Sequence, residues 1–136
     1  QLKEWNKIRN NNAMILLEIL KNNPLIRIPI PNNNFIHAWY KFYGYINDSY
    51  LAEGWDRDRI IKEINQKNLP AFHGGCSEIY LEKCFVKAKL NPKVRLKNAK
   101  KLGETSIMFL VHHTIDPVNM ELYAEQISNT LKKATR

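Results

Sequence analysis

The chain has 136 residues, 44% of them hydrophobic and 25% charged, with 21 Lys+Arg against 13 Asp+Glu and a net charge of +8. That length suits one domain, spanning 1–136, and the composition excludes an intrinsically disordered chain. Uninterrupted apolar runs such as Ile107 to Val111 are far too short to cross a bilayer, so a soluble globular domain with no membrane partner is expected.

The charge is concentrated. Between Lys83 and Lys101 there are eight basic residues and no acidic one, leaving 13 basic and 13 acidic residues elsewhere. Any attraction for polyanions is therefore a property of this segment. Two cysteines, Cys76 and Cys84, are too few for a disulfide scaffold and suit a reducing cytoplasm, where they read as half-buried thiols. With His73 they do not make the two closely spaced ligand pairs of a structural zinc site.

In chain order, Leu2, Trp5, Ile8, Ile15, Leu16, Ile19 and Leu20 recur at helical spacing with no capping residue ahead of them. An uncapped start reads as the C-terminal part of a longer protein. Asn22-Asn23-Pro24 stops this helix, and Leu25 to Pro29 reads as a short edge strand bounded by proline. Pro31 to Asn34 is a turn cluster. From Phe35 to Ile46 the chain is rich in aromatics, with Tyr40, Phe42 and Gly44 alternating with Lys41, Tyr43 and Tyr45, which predicts a longer strand antiparallel to the first. Asn47 to Gly54 is a loop, and Asp56 can cap a helix carrying Ile60, Ile61 and Ile64.

Asn68 to Phe72 reads as a short strand. Gly74-Gly75-Cys76-Ser77 then opens a short helix over Glu78 to Phe85, and the basic segment runs as a loop through Pro92 and a helix from about Lys93 to Leu102. Ile107 to Val111 is a buried strand. Asp116-Pro117 is a capping carboxylate followed by proline at the first helical position, with Met120, Tyr123, Ala124, Ile127 and Leu131 on one face of the final helix. The order α-β-β-α-β-α-α-β-α predicts an α+β fold, a small, mostly antiparallel sheet covered by helices.

Several residues could carry chemistry. His73, Ser77 and Glu78 supply a base, a nucleophile and a carboxylate within six residues. Triad members normally come from separated segments, and no Gly-x-Ser-x-Gly elbow surrounds Ser77. His112 and His113 are adjacent on a strand end and point to opposite faces, one packed and one in solvent. Glycines at 74 and 75 let backbone N–H groups turn toward an anion at a helix start; an ordinary strand-to-helix turn is the plainer reading of the glycines, and the downstream basic segment adds weight to a phosphate site. The aromatic run could stack bases of single-stranded nucleic acid, but no RNP-like, helix-turn-helix or Gly-x-x-Gly pattern accompanies it. A basic binding module for nucleic acid or another polyanion is the alternative functional reading.

Four spaced motifs together resemble the C-terminal region of the DegT-type sugar aminotransferases: Trp5-Asn6-Lys7-Ile8-Arg9-Asn10, His37-Ala38-Trp39-Tyr40-Lys41-Phe42, Cys76-Ser77-Glu78-Ile79-Tyr80-Leu81, and Leu102-Gly103-Glu104-Thr105-Ser106 leading to Phe109-Leu110-Val111-His112. The resemblance implies the C-terminal small domain of a fold-type-I enzyme that uses pyridoxal phosphate to aminate a nucleotide-linked keto-sugar, for surface polysaccharide or lipopolysaccharide. It implies glutamate as amino donor and a homodimer for the intact protein. It also implies that the Schiff-base lysine, the aspartate on the pyridine nitrogen and most phosphate ligands belong to an N-terminal domain absent from this chain. The chain alone is then inactive, has no catalytic residue of its own, and binds neither cofactor nor metal.

Carried over residue by residue, Gly74, Gly75 and Ser77 become candidates for diphosphate or sugar contact. His37 and Tyr40 fall in a strand motif near the active-site entrance, where support of the sheet and substrate contact stand as equal alternatives. Where many members have His-Tyr-Pro this chain has Gly74-Gly75-Cys76, which removes an imidazole and a phenol and implies a different substrate. His112-His113 replaces the usual His-Pro.

Overall fold

In the computed structural model, which describes residues 1–32 and 34–136, the helices take their places from the caps and apolar stripes above. Helix α1 (Leu2–Leu20) starts at Gln1 without a side-chain cap and buries Ala13, Leu16 and Leu20. Helix α2 (Arg57–Asn65) is capped by the Asp56 carboxylate, which accepts from the Arg59 N–H, and buries Ile60, Ile61 and Ile64. Helix α5 (Pro117–Ala134) is capped by Asp116 accepting from the Asn119 N–H, with Pro117 in its first turn.

Four short strands make one antiparallel sheet in the order β1-β2-β4-β3: β1 Ile26–Arg27, β2 Phe42–Ile46, β3 Ala71–His73 and β4 Ser106–Phe109. Phe42 pairs with Phe109, Gly44 with Ile107, and Ala71 with Phe109, so these side chains share one face. That face is the core, closed by α1, α2 and α5, with Leu16, Leu20, Ile64, Met120, Ile127 and Leu131 fully buried. Each such side chain contributes roughly 1.5–3 kcal/mol by leaving water. A Cβ on Gly44 would stand 2.5 Å from Ile26 Cδ1 and 2.8 Å from Ile26 Cγ1, so any larger residue there would have to displace the Ile26 side chain. Tyr123 donates its hydroxyl to the Pro70 carbonyl and accepts from the Leu110 N–H, tying α5 to the ends of β3 and β4. Burial holds its pKa above the ordinary tyrosine value.

The predicted order of elements is the observed one, with α3 (Lys83–Lys87) and α4 (Lys97–Thr105) between β3 and β4. Several boundaries differ for physical reasons. The aromatic strand begins only at Phe42, because Trp39 adopts a left-handed backbone (φ 47) that breaks extended pairing before it. Of the turn cluster, Asn33 lies outside the described residues, while Asn32 accepts at its side-chain oxygen from the Asn34 N–H. The third strand starts after Pro70, which lacks the N–H a ladder needs.

No helix runs from Glu78 to Phe85. A single 3-10 turn at Ile79–Leu81 is cut from α3 by Glu82, whose ψ of 142 is extended. Helix α4 starts at Lys97, not near Lys93, because Arg95 and the Leu96 N–H are held by Glu78 and Tyr80. Cys76 and Cys84 are both exposed rather than half-buried.

No residue from Phe72 to Glu104 is buried. This long excursion carries the basic segment and shows Leu90 and Val94 to solvent at 69% and 75% exposure. Among the described residues, no helix is long and apolar enough to cross a membrane.

Candidate functional site

The sheet face opposite the core is open, and strand parity decides what stands on it. Tyr43 and Tyr45 of β2 point away from Phe42, Gly44 and Ile46, and their cross-strand partners are Met108 and Ser106. Phe72 pairs with Met108 from the other side, and Arg27 pairs with Tyr45. Two cations sit over this aromatic row. The Arg27 guanidinium lies 4.6 Å from the Tyr45 ring centroid, and Lys41 Nζ is 5.5 Å from each of the Tyr40 and Phe72 rings.

A cavity of about 560 Å³ opens on this face, with His37, Trp39, Lys41, Tyr43 and Tyr45 in its wall. Its far side is the segment before β2. There His37 Nδ1 accepts from the Trp39 N–H at 2.9 Å, and the two rings lie 4.2 Å apart. Trp39 is held in its left-handed conformation by packing 5.6 Å from Phe42 and by donating Nε1–H to Asn10 on α1. His37 is thus fixed by the same turn that sets where β2 begins, and faces the cavity from an exposed position.

The five residues singled out in the sequence separate in space. His37 lines the cavity. Tyr40 is 78% exposed beside it, its ring under Lys41. Gly75 adjoins the same face, since a Cβ placed on it would stand 3.9 Å from the Tyr43 hydroxyl oxygen. Gly74 continues the β3–β4 ladder, donating its N–H to the Ser106 carbonyl at 3.4 Å, and a Cβ there would run into the Ser106 side chain. Ser77 turns away and packs its hydroxyl against Gly103 of α4. The glycine segment is therefore a loop rather than a helix start. The five-residue α3 that follows lacks the aligned dipole expected at an anion-binding helix N-terminus.

The remaining predicted chemistry resolves into structural contacts. Glu78 accepts two hydrogen bonds from Arg95, at 2.7 and 2.5 Å, and one from the Tyr80 hydroxyl at 2.6 Å. The Arg95 contact, then Tyr80, holds its carboxyl down at about 2. His73 Nε2 faces Asp58 at 3.2 Å, so the three residues of the would-be triad have separate partners. Asp58 is also held below the usual carboxylate range, first by its hydrogen bond from Arg57. His112 is exposed and bonds Thr114, whereas His113 is partly buried and stacks on Trp5 at 4.4 Å; the two rings do not point to opposite faces of a strand but lie 4.1 Å apart, beyond the end of β4. Burial, then the nearby charge of His112, lowers the His113 pKa. Among the described residues no group of three or more His, Cys, Asp or Glu could hold a metal.

Lys41, Tyr43 and Tyr45 form the centre of the site and were not among the residues singled out in the sequence. Their signal was the alternation itself, which put them on the face opposite Phe42 and Gly44.

No protein-family model and no curated protein sequence matches the chain. Solved structures do. An aminotransferase from Psychrobacter cryohalolentis is 36% identical, with a TM-score of 0.90, over 98% of this chain and 36% of that one. A DegT DnrJ EryC1 StrS aminotransferase from Brucella abortus is 13% identical, with a TM-score of 0.72, over 92% of this chain and 31% of that one. The GDP-4-keto-6-deoxy-D-mannose-3-dehydratase of E coli, solved with hydrated pyridoxal phosphate, is 15% identical, with a TM-score of 0.71, over 95% of this chain and 31% of that one. The chain thus spans about a third of the length of the structures it matches. Its α+β fold is that of one part of each of these structures. It resembles the DegT/DnrJ/EryC1/StrS-type enzymes along nearly its whole length.

Proposed function

We propose that this chain is the C-terminal domain of an aminotransferase of that type, one that aminates a nucleotide-linked keto-sugar for surface polysaccharide or lipopolysaccharide in the cytoplasm. The observation that carries the reading is the 36% identity to an aminotransferase across 98% of the chain. The open face supports it independently. Aromatic walls with Lys41 and Arg27 suit a sugar ring joined to phosphate, since rings pack against apolar faces while cations meet the anion.

The donor set here does not make a pyridoxal-phosphate site. Lys41 is the amine on this face, and no carboxylate among the described residues lines the cavity to pair a pyridine nitrogen. The coenzyme and its lysine therefore belong, on this reading, to the rest of a longer polypeptide, and the intact protein is a homodimer. This chain's part is to wall the substrate site. Tyr43 and Tyr45 bound it, Gly75 lets backbone approach beside Tyr43, and His37 and Lys41 hold polar groups toward it.

The test is an amino-transfer assay on the whole protein, with glutamate as donor and a nucleotide keto-sugar as acceptor. Release of 2-oxoglutarate that depends on the sugar supports the reading. Salt-dependent binding of short single strands by the basic segment, without amino transfer, would instead favour the polyanion-binding alternative.

A further inference from the structure

The chain between β3 and β4 makes a loop whose base is tied and whose tip stands in solvent. At the base, Glu78 accepts from Nε and Nη2 of Arg95, and the Tyr80 hydroxyl accepts from the Leu96 N–H at 3.1 Å. These bonds close the stretch from Leu81 to Val94 upon itself. Within it, α3 ends at a left-handed Lys89 (φ 56), and the Leu90 N–H returns to the Phe85 carbonyl at 3.0 Å. The tip therefore has a defined shape although none of its side chains is buried.

Two kinds of side chain stand on it. Lys83, Lys87, Lys89 and Lys93 are exposed, and none makes an ion pair among the described residues. Glu82 is the one carboxylate of the stretch. Between the lysines, Val86, Leu90 and Val94 are 46%, 69% and 75% exposed. Aliphatic side chains held in water beside unpaired cations are unfavourably placed there, and both kinds are satisfied where anionic headgroups meet hydrocarbon. The lysine stems are themselves apolar, so they can lie along such a boundary with their ammonium groups outward. Helix α4 adds Lys97 and Lys101, also exposed and without an ion pair among the described residues. Single-stranded nucleic acid would need an aromatic platform, and the one aromatic ring of the tip, Phe85, is half-buried.

We propose that this loop docks the protein on an anionic lipid surface, with the lysines on the headgroups and Leu90 and Val94 entering the boundary beneath them. The expectation of no membrane partner rests on the lack of an apolar run that spans a bilayer, which surface docking does not need. None of these residues lines the aromatic cavity, so lipid docking is independent of the aminotransferase reading.

The test is co-sedimentation of the whole protein with vesicles of mixed phosphatidylglycerol and phosphatidylcholine, and with phosphatidylcholine alone. The protein should bind the mixed vesicles only, and more weakly as salt rises. Lys87→Gln, Lys89→Gln and Lys93→Gln together should weaken binding about a hundredfold, since each lysine near such a surface contributes about fivefold. Leu90→Ser with Val94→Ser should weaken it about tenfold. Both variants should keep the parent melting temperature, because no replaced side chain is buried, and Lys3→Gln on α1 should bind as the parent does. Bound vesicles should also slow trypsin cleavage between Lys83 and Lys93. Equal binding to both kinds of vesicle would overturn the proposal, as would binding that ignores the changes at Leu90 and Val94. A loop that resists trypsin before vesicles are added would also overturn it, because the rest of a longer polypeptide would then cover the tip. Binding to single-stranded RNA but not to the mixed vesicles would overturn it in favour of nucleic acid.

Discussion

Replacing Arg57 with alanine should loosen the join between α4 and β4. The Arg57 side chain is only 13% exposed, and its Nη1 donates to the Gly103 carbonyl at 3.0 Å and to the Ser106 carbonyl at 2.7 Å. Gly103 is in the last turn of α4 and Ser106 opens β4, so a single guanidinium fixes where the helix ends and the strand begins. A hydrogen bond from a charged donor contributes about 1.5–3 kcal/mol. The Ser106 carbonyl keeps the Gly74 N–H at 3.4 Å, so the loss is less than two full bonds, about 2–4 kcal/mol in all. For a domain of this size, each kcal/mol moves the melting temperature by about 3–4 °C, giving a fall of about 6–16 °C for Arg57→Ala. Arg57→Lys, which can keep one of the two bonds, should lose about half as much. Calorimetry gives the melting temperature, and hydrogen exchange should show amides of Lys100 to Thr105 opening before those of α5. A melting temperature within about 2 °C of the parent would refute the reasoning, because water would then be satisfying both carbonyls.

Two further outcomes follow from the excursion between β3 and β4. Glu78 is held at about 2 against an ordinary 4.5, so it is charged and clamped above that ordinary value. Its contribution to stability is fully present there and is lost as pH falls through the window toward 2. Thermal melts of Glu78→Gln should therefore lose part of the parent's decline between those limits, and superimposable pH curves for the two proteins would contradict the clamp. Trypsin should cut first between Lys83 and Lys97, where exposed basic residues stand on backbone with no buried side chain to hold it. A first cut in α1 or α5 would show that the excursion is better packed than described.

The parts of this fold legible in sequence are those with local causes. Asp56 and Asp116 mark helix starts because a short carboxylate bonds an N–H three residues on, and the isoleucines of α2 and the apolar stripe of α5 follow a helical period. The open face was half legible. Alternation along β2 separated Tyr43 and Tyr45 from Phe42 and Gly44, but Tyr40 lay outside the strand and its parity meant nothing. The cause is the left-handed Trp39, which follows from contacts with Asn10 and Phe42 and has no local sequence signal. Likewise the Glu78–Arg95 pair joins residues 17 apart, and Ser77 meets Gly103 only because α4 folds back over it. The glycines at 74 and 75 were visible as glycines. Which cavity they adjoin depends on the register of β3 against β4, and pattern alone does not set that register.

If, as proposed, these 136 residues wall the substrate site of an aminotransferase, the coenzyme lysine lies outside them. Reducing the native protein with borohydride and mapping pyridoxyl-lysine by mass spectrometry tests it most directly. One modified lysine is expected, on the same polypeptide but outside residues 1–136. A pyridoxyl-lysine within those residues, at Lys41 or elsewhere, would contradict it, and so would a native polypeptide that carries no coenzyme at all.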